Sequence, residues 1–179
     1  YGRYDHLITN EQQPPSVAFD AGGPYVSVPI RFGSLLGGNS SGLEVDAHWL
    51  PSAWWRLDAS YSAYRFIPRV NPASLDAGAA TFDGNAARQQ WQLRSGFSLR
   101  RHTEVDLSVF HVGRLAGLDV PAYTRADARL QIPVTPRLTL SLIGQNLFAA
   151  AHAEFRDSSG TVIHTLVPRS ARMQLAWRY

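Results

Sequence analysis

Apolar and polar residues alternate with period two along most of this chain, and that pattern limits the fold more than any other feature. In residues 42–50, Leu43, Val45, Ala47 and Trp49 alternate with polar or charged residues. Successive side chains of a β-strand point to opposite faces, so this segment has one apolar and one ionisable face. The pattern predicts about eight strands, at residues 1–9, 25–36, 42–50, 55–64, 88–99, 104–109, 123–132, 138–142 and 169–179, of which 25–36 and 42–50 can be one long strand with Gly37-Gly38 as a bulge or bend.

The links between these strands alternate in length. Short turns fall at residues 51–52, 100–103 and 133–136, whereas long links fall at 10–24, 67–86, 113–122 and 150–168. Short turns at one end of a sheet and long loops at the other are typical of outer-membrane barrels. The fold class predicted is therefore all-β, with antiparallel up-and-down transmembrane β-barrel strands that form part of a barrel.

The polar face carries charges of both signs at neighbouring positions, which suits a wide, wet lumen. The apolar face ends in aromatic residues such as Trp49, Trp55 and Tyr123, as expected of girdles at a bilayer interface. A soluble sandwich, whose polar face meets water, is the less favoured alternative. The predicted lumen network comprises Glu44, Asp46, His48, Arg56, Asp58, Arg94, Asp106, Arg125, Asp127 and Arg129.

Composition excludes several functions. The chain has no cysteine, so disulfides and thiolate chemistry are excluded, and no apolar run is long enough for a membrane helix. Its 17 basic residues are all arginine and are spread along the chain, which argues against a nucleic-acid partner. Nucleophile-elbow and phosphate-loop motifs are absent, so we expect no enzyme activity and no cofactor. We interpret His48, and His152 with Glu154, as structural rather than metal-binding.

Several short motifs, in this order, resemble the last strands of TonB-dependent outer-membrane receptors. The motifs are Tyr4-Asp5-His6-Leu7, Gly42-Leu43-Glu44, Trp54-Trp55-Arg56-Leu57, Gly144-Gln145-Asn146-Leu147-Phe148, His152-Ala153-Glu154-Phe155 and Trp177-Arg178-Tyr179. The resemblance implies that residues 1–179 are the C-terminal β-barrel segment of such a receptor, whose whole barrel has about 22 strands. The plug domain and the TonB box are not in this sequence, which opens at Tyr1 without a signal-peptide pattern, so we expect a fragment.

The resemblance also implies a function and a set of partners. A receptor of this family takes up a scarce ligand, such as a ferric siderophore or similar chelate, across the bacterial outer membrane. Its partners are outer-membrane lipid, its own plug domain and the TonB complex, the last two through the missing N-terminal part. The barrel-assembly machinery would read Leu175, Trp177 and Tyr179 as the assembly signal.

Four residues at or near the predicted loops are candidates for ligand contact: Tyr64, Arg65, Phe82 and Phe155. The alternative function is a self-contained small outer-membrane β-barrel with a structural or pore role. Eight strands closing on themselves would require residues 1–9 to pair with residues 169–179, whereas a fragment leaves both segments as free edges.

Overall fold

A computed structural model describes residues 1–156 and 165–179 of the chain. In these two ranges, three short 3-10 helices lie at Ala79–Asn85, Arg100–His102 and Ala116–Leu118. Twelve strands are found in the described part: β1 Gly2–Gln12, β2 Ser16–Asp20, β3 Gly23–Ser27, β4 Ile30–Ser52, β5 Trp55–Val70, β6 Gln89–Ser98, β7 Glu104–Val112, β8 Tyr123–Thr135, β9 Leu138–Gln145, β10 Ala151–Ala153, β11 Leu166–Pro168 and β12 Ser170–Trp177.

Eight of these strands form one sheet with the order β1-β4-β5-β6-β7-β8-β9-β12. Where the register is defined, neighbouring strands run antiparallel. This order follows the chain directly, as in an up-and-down barrel. The prediction of an all-β fold made of about eight barrel strands is confirmed, and β1 and β12 are the outermost strands of that order.

Two hairpins in the long links were not predicted. Strand β2 lies in the segment 10–24 that we expected to be a loop, and it pairs with β3. Residues 25–27, which we expected at the start of the strand 25–36, belong to β3, and β4 begins at Ile30. The turn between β2 and β3 is closed by Asp20, whose Oδ1 accepts a hydrogen bond of 2.7 Å from the Gly22 amide, and by Gly23 with φ of 112°. In the fourth long link, β10 pairs with β11. Residues 157–164 of that link lie outside the described part.

The predicted turn at residues 133–136 is shorter than expected. Pro133 lies inside β8, and a register shift follows it between Pro133 and Thr135. Proline lacks the amide that a ladder hydrogen bond requires, so an irregularity of this kind is its usual place in a sheet. The Thr135 hydroxyl then accepts hydrogen bonds from the amides of Arg137 and Leu138, which closes the turn.

The chain forms two compact units. The first unit comprises Tyr1–Gly42 and Arg65–Asn85. Its centre is Phe66, which is 5% exposed and meets the rings of Tyr4 and Phe82 edge-on, with centroids 6.2 and 5.8 Å away. Gly38 on β4 lies beneath Phe66, where a Cβ would come within 2.4 Å of the ring. The glycine therefore permits this aromatic packing.

The second unit comprises Leu43–Tyr64 and Ala86–Tyr179. The register places aromatic and aliphatic residues opposite one another on one face of its strands, for example Tyr61 with Trp91 and Leu107 with Ala128. Large side chains of this face stay exposed, including Met173 at 67%. No described residue covers them, which is unusual for a face of this size in water. Within residues 1–156 and 165–179, no helix has the length and apolar character that a membrane crossing requires.

Candidate functional site

A chain of ion pairs crosses the polar face of the second unit, and we call it the charge ladder. His48 Nδ1 lies 2.6 Å from Asp58 Oδ1, and Arg56 Nε lies 3.4 Å from the other oxygen of that carboxylate. Arg56 also reaches Asp106, at 3.3 Å, and Arg129 lies 4.0 Å from the same aspartate. Five side chains from β4, β5, β7 and β8 thus form a continuous row in which aspartates alternate with arginine or histidine.

The ladder passes over β6 because that strand has a glycine at the crossing point. In the register, Gly96 lies between Arg56 and Asp106, opposite both. A Cβ at position 96 would approach Arg56 Nη2 to 2.5 Å. Because Gly96 has no side chain, the Arg56 guanidinium can cross β6 and reach Asp106 on β7. The ion pair therefore links β5 to a strand that is not its direct neighbour.

The ladder is a solvated surface rather than a stabilising core. Its side chains are 28% to 56% exposed, from Asp106 to His48. Ion pairs with that exposure contribute about 0–1 kcal/mol each, because water screens them and long side chains lose entropy. What the arrangement offers instead is a patterned set of donors and acceptors that a polar partner can recognise.

Two grooves lie along this polar face. The larger, of about 590 Å³, is lined by ladder residues together with Asp46, Ser60, Gln92 and Arg94. The smaller, of about 330 Å³, contains Glu44 and Asp46 with Ser62, Gln90 and Phe110. Arg94 lies opposite Asp58 in the register. Glu44 and Asp46 form no ion pair with any residue in the described ranges, so their charges remain open to a partner.

A second polar cluster lies where β8 meets the fourth long link, and we call it the long-link cluster. Arg125 is bound by Asp127 at 2.7 Å and by Glu154 at 3.6 Å, and its guanidinium lies over the Phe110 ring. Glu154 in turn accepts from His152 at 3.0 Å, and the His152 ring stacks on Tyr123 with centroids 4.2 Å apart. The link is therefore fixed to the sheet by charge and by aromatic stacking.

Asn146 anchors the same cluster to the backbone. It is fully buried and has φ of 54°, a left-handed conformation that asparagine tolerates better than most residues. Its backbone amide donates to Asp127 at 3.0 Å, and its side-chain amide donates to the Val167 carbonyl at 2.9 Å. Burial, turn conformation and two hydrogen bonds together account for an asparagine in the Gly144-Gln145-Asn146-Leu147-Phe148 motif.

In the first unit, Glu11 fixes the link between β5 and β6 to the end of β1. It is 7% exposed, and its carboxylate accepts from the Ser74 hydroxyl at 2.8 Å and from the Leu75 amide. Nearby, Asp76 accepts from the Asn10 amide at 2.8 Å. We call these five residues the Glu11 clasp. Hydrogen bonds from Thr9, Leu75 and Ser74 lower the pKa of Glu11 and outweigh its burial, so it is held ionised.

The predicted ligand contacts are placed as follows. Tyr64, Phe82 and Phe155 are 40%, 50% and 55% exposed, and Arg65 is exposed as well. In the first unit, the Phe82 ring packs edge-on against Phe66. Tyr64 and Phe155 belong to the second unit. At the other end of the strands, Leu175, Trp177 and Tyr179 are all exposed on or just after β12. In the ranges that the structure describes, no group of three acidic or histidine side chains could hold a metal ion.

The Glu11 clasp and the stacking of Tyr123 on His152 were not predicted from the sequence. The fixed position of Glu11 depends on residues 74 and 75, which are distant in sequence and lie in a link that we expected to be a plain loop. The one available signal was an acidic residue just after the predicted strand 1–9 and three residues before Pro14-Pro15, and many surface residues share that signal.

No protein-family model matches the sequence, and no curated protein matches it. Among solved structures, the siderophore receptor PiuA from Acinetobacter baumannii matches with a TM-score of 0.64 and 19% identity, over 99% of this chain and 27% of that one. The chain has the fold of part of a siderophore-receptor barrel. Another siderophore-receptor structure, the ferric yersiniabactin uptake receptor FyuA from Yersinia pestis, matches with a TM-score of 0.64 and 17% identity, over 82% of this chain and 24% of that one. The chain thus spans about a quarter of each of these siderophore receptors.

Proposed function

We propose that residues 1–179 are the C-terminal β-barrel segment of a TonB-dependent receptor in a bacterial outer membrane. In this proposal the intact receptor takes up a scarce ligand, a ferric siderophore or a similar chelate. The observation that carries it is a sheet with one uncovered apolar face and one charged face, in the fold of siderophore receptors. An apolar face of that extent is stable against lipid tails, whereas the charged face suits a wet lumen.

In this arrangement the charge ladder faces the lumen and binds a plug domain supplied by the missing N-terminal part. Asp58 and Asp106 accept hydrogen bonds, while Arg56 and Arg129 donate them, so the surface can match a polar partner of either sign. Weak, solvated contacts suit a plug that must shift when TonB pulls on it. A dry, apolar interface would resist such movement.

The long links would carry the ligand site on the outer surface. In the first unit, Arg65 supplies a positive charge for an anionic chelate and Phe82 supplies a ring. In the second unit, Tyr64 and Phe155 supply rings for apolar or aromatic parts of a ligand. The Glu11 clasp and the long-link cluster hold parts of two links in place. Fixed links lower the entropy lost on binding, which raises affinity. We assign the chain no catalytic role.

The test uses the protein expressed from its complete gene. We expect it in the outer-membrane fraction, and we expect growth on a ferric siderophore as the only iron source to require both this gene and TonB. Arg65→Gln combined with Phe155→Ala should weaken binding of that ferric siderophore at least several-fold, while Arg137→Gln, at a short turn, should leave it unchanged. Loss of the gene without any change in growth on a panel of ferric siderophores would contradict the proposal.

A further inference from the structure

The short turns of the second unit carry positive charge that nothing in the described part of the chain neutralises. Arg100 and Arg101 lie in the turn after β6, Arg137 lies in the turn after β8, and Arg178 follows β12. The Arg178 amide donates to the Arg137 carbonyl at 2.9 Å, so these two residues are neighbours. Residues 52–54, 99–103, 135–137 and 177–179 contain these four arginines and no aspartate or glutamate. We call the four arginines the arginine rim.

The rim differs from the arginines on the polar face. Arg56, Arg125 and Arg129 each contact a carboxylate. Within the described ranges, no rim side chain makes an ion pair or a hydrogen bond, and all four residues are exposed. The nearest acidic residue in sequence, Glu104, opens β7 opposite Gln131 and pairs with none of them. Four uncompensated charges therefore face outward at one end of the strands.

Aromatic residues lie directly beside the rim. Trp54 and Trp55 stack on Phe97 with ring centroids 6.2 and 6.1 Å away, and Trp177 immediately precedes Arg178. Tryptophan rings in membrane proteins settle at the headgroup level. A strand advances about 3.3 Å per residue, so the rim lies within a few residues of that level. Long arginine side chains readily extend the remaining distance toward phosphate groups.

We propose that the arginine rim binds the phosphate groups of anionic glycerophospholipids in the leaflet next to the short turns. The inference rests on the proposed function, since it needs the strands to cross a bilayer. The planar guanidinium group donates two parallel hydrogen bonds to two oxygens of one phosphate. Exposed arginines that lie close together can therefore hold several phosphate groups. A neutral headgroup also carries a phosphate, but its own ammonium group competes for it. The rim therefore selects lipids with net negative charge.

The test measures lipids retained on the intact protein, expressed from its complete gene and purified in a mild neutral detergent. Native mass spectrometry after addition of equal amounts of phosphatidylglycerol and phosphatidylcholine counts each lipid bound. We expect about a fivefold preference for phosphatidylglycerol, which falls as salt rises. The variant with Arg100, Arg101, Arg137 and Arg178 all changed to Gln should lose that preference. A matched control changes Arg3, Arg31, Arg114 and Arg156 to Gln, removes the same charge and should keep it.

Equal retention of the two lipids by the unaltered protein would overturn the inference, as would a rim variant that keeps the preference. If the fourfold variant does not fold, two double variants, Arg100→Gln with Arg101→Gln and Arg137→Gln with Arg178→Gln, give the same reading, each with a partial loss. Failure of the proposed function has a different signature, because the protein would then be missing from the outer-membrane fraction. If the protein is found in the outer membrane but shows no lipid preference, only the inference about the arginine rim is contradicted.

Discussion

Gly38 in the first unit and Gly96 in the second both lie under a side chain from a neighbouring strand, yet they serve different kinds of structure. A Cβ at Gly38 would meet Phe66 and the Ile67 backbone carbonyl, at 2.4 and 2.6 Å. A Cβ at Gly96 would meet the guanidinium end of Arg56 at 2.5 Å. The first obstacle is a buried ring and fixed backbone, whereas the second is the free end of a flexible side chain.

The difference shows which interactions hold the side chains of each unit in place. The first unit depends on close packing around Phe66 and on the carboxylate of Glu11, both of which are buried. On the polar face of the second unit, order depends on solvated ion pairs that can rearrange at little free-energy cost. A recognition surface can therefore change its residues during evolution, while the packed region has few alternatives.

The substitution Gly38→Ala should have the largest effect. The new methyl group cannot fit beside Phe66 without moving the backbone at Ile67, and overpacking of this kind costs about 1–3 kcal/mol. We expect residues 71–85 to become accessible to protease in the intact protein. Gly22→Ala is the matched control, because the atom nearest its Cβ is Asp20 Oδ1 at 3.3 Å. Equal protection in both variants would remove the contrast between the two glycines.

The substitution Glu11→Gln should have the next largest effect. One carboxylate oxygen of Glu11 accepts from the Ser74 hydroxyl and the other accepts from the Leu75 amide. Glutamine keeps only one acceptor oxygen and replaces the other with a donating NH2 group, so the side chain can no longer accept from both partners. Hydrogen exchange at the Leu75 amide should accelerate several-fold, while exchange in β6 and β7 stays unchanged. Asp20→Asn, which keeps an acceptor oxygen in an exposed turn, provides the control. Unchanged exchange at Leu75 would show that the clasp does not hold the link.

Acid should release the same link. Hydrogen bonds lower the pKa of Glu11 below its ordinary value of 4.5, so its stabilising contribution is complete above that pH. The contribution falls as pH drops below 4.5 through the lowered pKa. Protease protection of residues 71–85 should follow that course, and Glu11→Gln should abolish the pH dependence. A protection profile identical in the two proteins would assign the acid response to another group.

The substitution Gly96→Ala should have the smallest effect. Its methyl group displaces the Arg56 guanidinium from Asp106, and the loss of one exposed ion pair changes stability by less than about 1 kcal/mol. Denaturant midpoints of the variant and of Arg56→Gln should therefore agree closely. A loss as large as that from Gly38→Ala would mean that the ladder is a structural core after all.

Much of the fold was predictable because the chemistry of a barrel strand repeats locally. Alternation identified the eight sheet strands, and of the two interpretations that it left open at Gly37-Gly38, the continuous strand is the one found, as β4. Alternation also predicted that Arg129 lies on the strand beside Asp106, whereas their direct opposition across the long link 113–122 came only from the structure. Such features depend on neighbours in sequence or on adjacent hairpins.

The features that were missed depend on contacts between distant parts of the chain. The hairpin of β2 and β3 arises from a short Asp20-Gly22 turn within a segment rich in proline and glycine, which reads as a loop. Glu11 and Ser74 are 63 residues apart, and no periodic pattern links them. The positions of the ligand candidates likewise depend on how the links fold, so the sequence could name those residues without placing them.

The turn between β6 and β7 has a further consequence. Arg101 and His102 both adopt left-handed backbone, with φ of 59° and 58°, where glycine would be unstrained. A residue with a Cβ gives up about 1–2 kcal/mol in that conformation. Replacing Arg101 with glycine should therefore make the hairpin easier to form, even though it removes a charge. The turn with arginine thus folds less readily than a turn with glycine would, so the charge at position 101 comes at a cost in hairpin stability.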